Sequence, residues 1–279
     1  MGECFLRRAK KRIPFEYSFS GGYSVKDVTY NGVVYTQLTI TRSGTLTVNK
    51  DINANIWLCG GGGNGARAQK FGSAGGGGGG GYVRSGSVTL SGSTTATVGS
   101  YGSSSSFGSL SASGGSAADG SRGGSGGSGG GSATPYNGGS GAGTTTRPFS
   151  DSANFSNYHC AGGGGGANIS TTDDNTGGAG GSNGSSGSVG TVKNLSGMYW
   201  KLNGGAGGSY GGGKGGDLEY EPSDSVAYYY GGDGSDATYY GSGGGGGGGG
   251  GNASNTTHGS FGFGYQGVIY VRWKKEDAK

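Results

Sequence analysis

The segment GSGGGGGGGGGNAS, residues 241–254, contains nine consecutive glycines and is followed by an apolar stretch, GVIYVRW, at residues 267–273. A second segment, SAGGGGGGGYV at residues 73–83, contains seven consecutive glycines and leads into another sequence with apolar residues. Glycine loses more backbone freedom on ordering than any other residue and has no side chain to bury in return. The fold therefore depends on how such runs are stabilised between strand-forming sequences.

The amino-acid composition limits the kinds of structure that these glycine runs can form. Glycine accounts for 76 of 279 residues, which is typical either of collagen or of disordered chains. Only four prolines are present and no strict three-residue period is kept, which excludes collagen. The formal net charge is only +4, so the charge repulsion typical of disordered chains is absent. Leu, Ile, Val and Phe together number 37, too few for one core through the whole chain, but they are clustered.

Apolar and polar residues alternate in residues 35–58, 82–99 and 267–273. A period of two is typical of half-buried β-strands, and no stretch of ten or more residues has a helical period. We therefore expect almost no α-helix and one small antiparallel β-base. Its predicted core consists of the apolar residues Leu46, Ile56, Leu58, Val88, Leu90, Val98, Ile269 and Val271.

The glycine runs have an ordered alternative to collagen. Polyglycine can adopt an extended threefold helix that rises about 3.1 Å per residue and makes no internal hydrogen bonds. Its N–H and C=O groups then need partners, and only glycine lets neighbouring backbones approach closely enough to supply them. The predicted fold class is thus mostly β plus polyglycine II: a small antiparallel β-base carrying a bundle of packed polyglycine II helices.

Four regions follow from this pattern. They are an N-terminal basic arm and strand region at 1–34, β-base strands with the first glycine runs at 35–112, a polyglycine II bundle with aromatic tip loops at 113–264, and a closing strand with a charged tail at 265–279. Five basic residues lie between Arg7 and Arg12. They are either a solvated tail or an arm that docks on an acidic surface of a neighbouring subunit.

The order of several segments resembles the glycine-rich domains of bacteriophage tail-fibre and tail-tip adhesins. These segments are IWLCGGGGNG at 56–65, GGGGGGGYVRSGSVTLSGSTTATVGSYG at 75–102, SSSFGSLSASGGS at 104–116 and the terminal GVIYVRW. The resemblance covers roughly residues 40–273, and a similar arrangement occurs in glycine-rich domains of some animal receptor tyrosine kinases. It implies a β-structure from which a polyglycine II bundle projects, with loops at the far end that recognise a host receptor.

Three inserts interrupt the glycine background, at residues 134–159, 194–203 and 217–240, and they are rich in tyrosine. One interpretation is that these aromatic side chains lie along the glycine rods and cover their backbones. The other is that the inserts converge on one tip, where tyrosine and tryptophan are rigid amphipathic anchors for a host glycan or outer-surface protein. The predicted receptor-binding residues are Tyr199, Trp200, Tyr228, Tyr229, Tyr230, Tyr239 and Tyr240.

Catalytic and cofactor signals are weak. His159 and Cys160 are adjacent and could suggest a Cys–His nucleophile or a metal site, but neighbouring residues of an extended chain point in opposite directions. A surface histidine beside a small buried cysteine is the simpler interpretation. The sequence GSYGGGK at 208–214 fits the start of a P-loop, but Gly215 follows where Ser or Thr is needed. We expect no enzyme activity, no cofactor and no metal.

Partners and location follow from the same features. Arg122 lies in an isolated SRGG sequence without the repetition of RNA-binding segments, so no nucleic-acid partner is expected. Three widely spaced cysteines argue against a disulfide scaffold, and Cys59 is predicted to be buried. No secretory signal and no membrane insertion are expected. The predictions are cytoplasmic synthesis, assembly into a virion with other tail subunits, and a homo-oligomer such as a trimer. The alternative is a structural virion protein, such as a head fibre, a decoration protein or a fibre spacer subunit, without specific receptor binding.

Overall fold

The computed structural model describes residues 14–69, 74–131, 146–166, 200–208, 210–221, 228–249 and 256–278. These residues form β-strands and a single short 3-10 turn, Pro148–Ser150, without any α-helix. The prediction of a mostly β protein is confirmed. The basic segment between Arg7 and Arg12 lies outside the described residues.

Two five-stranded antiparallel sheets form the β-base. Sheet I contains, in spatial order, β2 (Tyr23–Tyr30), β3 (Val33–Ile40), β14 (Val268–Lys274), β5 (Ile52–Cys59) and β6 (Val83–Leu90). Sheet II contains β1 (Tyr17–Phe19), β4 (Gly44–Val48), β7 (Ser93–Thr97), β8 (Ser105–Phe107) and β9 (Leu110–Ala112). The last strand of the chain, β14, is thus the centre of sheet I.

One hydrophobic core lies between the two sheets. Ile269 of β14 is in register with Ile40 on one side and Leu58 on the other, so one face of sheet I is apolar across three strands. Leu46 and Phe107 supply the facing side chains from sheet II. Six of the predicted core residues are buried, namely Leu46, Ile56, Leu58, Leu90, Ile269 and Val271, while Val88 and Val98 are partly buried against them. Period-two alternation therefore predicted this core.

The other face of sheet I is also covered. Trp57, Val268 and Tyr270 point to this side because they alternate with the core residues along β5 and β14. Residues 146–160, called the covering segment below, pack on them through Phe149, Phe155 and Cys160.

Glycine segments leave and re-enter the β-base at its strand ends. Residues 60–66 follow β5 directly, and residues 75–81 return to β6. The run 75–81 lies antiparallel to the long C-terminal glycine run, and every third N–H of the run 75–81 donates a hydrogen bond to it. The three bonds, each 2.7–2.8 Å, run from Gly81 to Gly241, from Gly78 to Gly244 and from Gly75 to Gly247. Gly241 and Gly81 mark the end at the β-base, and Gly247 and Gly75 mark the far end.

The run 75–81 is enclosed by other backbones. It is hydrogen bonded to six neighbouring segments. Its N–H groups donate to segments 116–120, 128–131 and 241–247, and its carbonyls accept from segments 63–66, 124–127 and 163–166. We call this assembly of backbones the glycine layer. A Cβ atom added at any residue from Gly75 to Gly81 would lie well under 3.0 Å from a backbone oxygen of a neighbouring segment. Glycine is therefore required here by space, since any side chain would push the backbones apart.

A small third sheet lies at the far end of the glycine layer. Sheet III contains β10 (Trp200–Leu202), β11 (Leu218–Glu221), β12 (Tyr228–Gly231) and β13 (Thr256–Thr257) in this order, with β12 and β13 parallel. Gly248 is hydrogen bonded to Gly232, just after β12, and to Gly259, just after β13. Because Gly248 is at the end of its run away from Gly241, the glycine layer separates sheet III from the β-base.

Candidate functional site

Sheet III brings aromatic residues from separate inserts into register. Trp200 of β10 is opposite Tyr220 of β11, and Tyr220 is opposite Tyr229 of β12. These residues are far apart in sequence, yet they form one cross-strand row. Directly opposed residues of an antiparallel sheet are the closest cross-strand neighbours, so the row concentrates three aromatic residues in one part of the far end.

The adjacent row contains polar residues together with Tyr230. Lys201, Glu219 and Tyr230 are in register across β10, β11 and β12. Tyr230 is 41% exposed, so its ring and hydroxyl are available to a ligand. The residue before Glu219 in β11 is Leu218, which is fully buried. Glu219 is partly buried, and a buried leucine beside a partly exposed polar residue is typical of a sheet with one solvated face.

A polar groove of about 390 Å³ lies beside β11 and β12. Asp217 accepts a hydrogen bond from the backbone N–H of Gly204 and forms an ion pair with Lys214, both at 2.8 Å. On the other side, Asp233 accepts from the backbone N–H of Ser260 at 2.6 Å. The carboxylates thus fasten neighbouring glycine segments at the rim. The other side chains that line the groove belong to Glu219, Tyr230 and Ser235.

The predicted site residues divide into two groups. Trp200, Tyr228, Tyr229 and Tyr230 belong to sheet III, as the tip interpretation requires. The described strands β10, β11 and β12 come from two of the three inserts. Tyr199 lies outside the described residues.

Tyr239 and Tyr240 are at the opposite end, and their predicted place at the tip is wrong. Both are partly buried and pack against the imidazole of His159, with ring centroids 4.9 Å and 6.1 Å away. His159 in turn contacts Trp57 of β5. The described part of the insert 134–159 likewise packs on sheet I instead of reaching the far end.

His159 is not the surface histidine that the sequence suggested. Its side chain is fully buried, its Nε2 is 3.2 Å from the hydroxyl of Tyr270, and its ring makes an edge contact with Trp57 at 5.0 Å. Burial lowers the pKa of His159 to about 3, against the smaller opposing effect of a hydrogen bond to the backbone of Asn157. The imidazole is therefore neutral at physiological pH and enclosed by aromatic rings.

A buried ion pair fastens the covering segment to sheet I. Arg272 of β14 donates to Asp151 at 2.7 Å and to the side-chain oxygen of Gln37 at 2.6 Å, and both charged side chains are almost completely buried. Burial alone would raise the pKa of Asp151, but hydrogen bonds from Arg272 and Asn154 hold it below its ordinary value. The guanidinium of Arg272 also lies 4.4 Å from the ring centroid of Phe149. The sequence signal was an arginine inside the apolar stretch GVIYVRW.

A larger groove, of about 730 Å³, lies between the covering segment and strands β5 and β6. Its wall includes Asn55 and Ser87, which are hydrogen bonded to each other at 2.7 Å. Tyr35 and Phe149 line the opposite side. This groove belongs to the β-base, whereas the groove beside sheet III is at the free end of the molecule.

No family model matches this sequence, and no curated protein is significantly similar to it. Within the described ranges, no three His, Cys, Asp or Glu side chains come together in a way that could hold a metal ion. The same residues contain no helix long and apolar enough to cross a membrane.

Proposed function

We propose that the glycine layer is a bundle of polyglycine II helices. The support is the spacing of its hydrogen bonds, since every third N–H of the run 75–81 points to the same neighbouring segment. A threefold helix presents equivalent groups at every third residue and can be surrounded by six neighbours. At about 3.1 Å per residue, the seven glycines of this run would span about 22 Å.

We further propose that the chain is a receptor-binding subunit of a bacteriophage tail fibre or tail tip. The observation that carries the proposal is the aromatic row of sheet III, held away from the β-base by the glycine layer. A spacer protein has no use for aromatic residues at its free end, whereas recognition surfaces concentrate Tyr and Trp. The resemblance in segment order to phage tail adhesins supports the same function.

Recognition in this proposal uses Trp200, Tyr228, Tyr229 and Tyr230. Their rings offer large, rigid contact areas at a low entropic cost, and the carboxylates of the adjacent groove accept hydrogen bonds from hydroxyl or amide groups of a glycan or protein receptor. Tyr239 and Tyr240 are assigned a packing role because they contact His159 at the other end.

The β-base then serves attachment to the particle. Tyr17, at the start of β1, pairs with Val48, and Val48 is soon followed by Ile52, which begins β5 at the end of that strand away from the glycine segment 60–66. We propose that this end contacts other tail subunits and further copies of the chain, and that the basic residues between Arg7 and Arg12 contribute to this contact.

The test is adsorption of the labelled protein to a panel of bacterial strains. Replacing Trp200, Tyr229 and Tyr230 together by alanine is expected to reduce binding to a susceptible strain at least about tenfold, because aromatic anchors dominate most recognition surfaces. Tyr101→Ala is the matched control, since Tyr101 is 53% exposed but lies in the turn between β7 and β8, outside sheet III. Normal binding by a folded triple variant, or no binding by the parent protein to any strain, would favour a structural virion protein instead.

A further inference from the structure

Two cysteines that are distant in sequence meet at the boundary between the β-base and the glycine layer. Cys59 is the last residue of β5, and Cys160 is the last residue of the covering segment. Both side chains are fully buried, and neither is in a disulfide. In the sequence they are separated by strands β6 to β9 and by several glycine-rich segments.

The geometry around Gly241 shows how close the two sulfur atoms are. A Cβ atom placed on Gly241 would lie 2.7 Å from Sγ of Cys160 and 3.2 Å from Sγ of Cys59. Both sulfur atoms therefore border one small space and are less than about 6 Å apart, and the two thiols are hydrogen bonded to each other. Only glycine leaves room for this arrangement, because its missing side chain would occupy the space between them.

The backbone is specifically arranged at this point. Cys160 has a φ of +70°, a region that residues with a side chain rarely adopt. Its N–H donates to the carbonyl of Tyr240 at 3.1 Å, which ties the end of the covering segment to the start of the long glycine run. Cys160 is therefore held at this boundary by its backbone as well as by its buried side chain.

We propose that Cys59 and Cys160 are a redox-active pair that closes into a disulfide when the protein meets oxidising solution. The bond would join the end of β5 to the covering segment and so lock that segment onto sheet I. The chemistry does not depend on the proposed receptor-binding function. If that function holds, the pair stays reduced during synthesis in the cytoplasm and closes after release of the particle.

The reaction balances with a low-molecular-weight disulfide such as oxidised glutathione. A thiolate of the pair attacks this disulfide, forms a mixed disulfide and releases one glutathione thiolate. The second cysteine then attacks the protein sulfur of the mixed disulfide and releases the second glutathione. Two protein thiols are oxidised, one glutathione disulfide is reduced, and the two protons from the protein thiols are taken up by the two released glutathione thiolates.

Burial controls the rate of this reaction. Burial first, and then the neighbouring Cys59, raises the pKa of the Cys160 thiol, so little thiolate forms in the closed state. Exchange therefore requires the covering segment to open, and we expect it to be slow in native buffer and faster in mild denaturant. Once formed, the bond is protected from reductants by the same burial.

The experiment uses the full chain, reduced and then incubated with oxidised glutathione. We expect peptide mapping by mass spectrometry to find a Cys59–Cys160 cross-link, and the melting temperature to rise by about 5–10 °C because a loop of about 100 residues is closed. Cys4→Ser should keep both effects, since Cys4 is the third cysteine of the chain.

Cys59→Ala and Cys160→Ala are the two decisive variants. Each should fold, because alanine retains the small apolar character of the site, and each should lose the cross-link and the shift in melting temperature. The proposal is overturned if oxidation yields only glutathione adducts or bonds to Cys4, or if the Cys59–Cys160 bond forms but lowers the melting temperature. Normal strain adsorption by both alanine variants would leave the receptor-binding proposal intact in any of these cases.

Discussion

The β-base is held together mainly by its side chains, whereas the glycine layer is held together by its backbone. In the β-base, side chains such as Ile269 and Leu46 fill a core between two sheets, and the strands supply the backbone hydrogen bonds. In the glycine layer the backbones themselves are packed together, and each run is bonded to several neighbours. The β-base needs large side chains, whereas the glycine layer needs their absence.

This contrast determines which substitutions each region tolerates. A core of side chains can repack when one residue becomes slightly smaller, because neighbouring rotamers adjust. A layer of backbones has no rotamers to adjust, so an added methyl group must displace a neighbouring chain. The covering segment belongs to the first type of region, since its attachment depends on the side chains of Asp151, Phe149 and Phe155.

The largest expected effect comes from breaking the buried ion pair of the β-base. Asp151→Asn leaves the guanidinium of Arg272 buried without a charged partner, which costs about 3–5 kcal/mol in comparable buried pairs. We expect the free energy of unfolding in urea to fall by this amount. The matched control is Asp27→Asn, because Asp27 pairs with Lys275 on the surface and both side chains are about half exposed.

The comparison of Asp151→Asn with Asp27→Asn shows how much of the loss in stability is due to burial of the ion pair and how much to the loss of a charge alone. If Asp27→Asn destabilised the protein as much as Asp151→Asn, the covering segment would not be held by a buried charge. A double replacement by apolar residues, Asp151→Leu with Arg272→Met, is expected to recover part of the loss, because it removes both buried charges.

The second prediction concerns the glycine layer. The methyl group of Gly78→Ala would clash with the carbonyl oxygens of Gly63 and Asn64, which belong to an adjacent backbone. We expect a loss of about 2–3 kcal/mol in the free energy of unfolding, which is typical of overpacking. At Gly232 the nearest atoms to an added methyl group would be 3.3 Å away, so Gly232→Ala should cost clearly less. Equal losses for the two variants would show that the space around each glycine does not determine the cost of the added methyl group.

The sequence predicted the β-base well because its signal is local. Alternation along residues 267–273 fixes which side chains enter the core, and each strand carries enough branched apolar residues to show it. The pairing of the strands needed more, since the closing strand lies between β3 and β5, which are more than 200 residues away.

The location of the aromatic residues could not be predicted in the same way. Tyr229 and Tyr239 lie in similar tyrosine-rich, glycine-rich sequence, yet one is in sheet III and the other packs against His159. What separates them is the direction of the chain at residues 231–238, which is fixed by backbone hydrogen bonds such as those from Gly232 to Asp217 and from Gly234 to Ser260. The three consecutive tyrosines at 228–230 were a usable signal, because aromatic residues favour strands. The contact between Cys59 and Cys160 had no local signal at all.

The smallest expected effect is a pH dependence that originates at His159, where the covering segment meets the β-base. Burial lowers the pKa of His159 from 6.5 to about 3. Below pH 6.5 the unfolded chain therefore binds a proton that the folded chain does not bind, so the free energy of unfolding falls as the pH falls toward 3. Between pH 7 and pH 5 this amounts to a loss of about 2 kcal/mol.

Urea unfolding at pH 7 and pH 5 measures this loss directly. His159→Gln is expected to remove it, even if the variant is less stable at both pH values, because glutamine does not titrate. His258→Gln is the control for the only other histidine of the chain and should keep the loss. Asp151 does not interfere in this window, since its pKa is held below the ordinary value of 3.8. If the loss persisted in His159→Gln and disappeared in His258→Gln, the buried imidazole would not be the pH-sensitive group, and the covering segment would not close over it in solution.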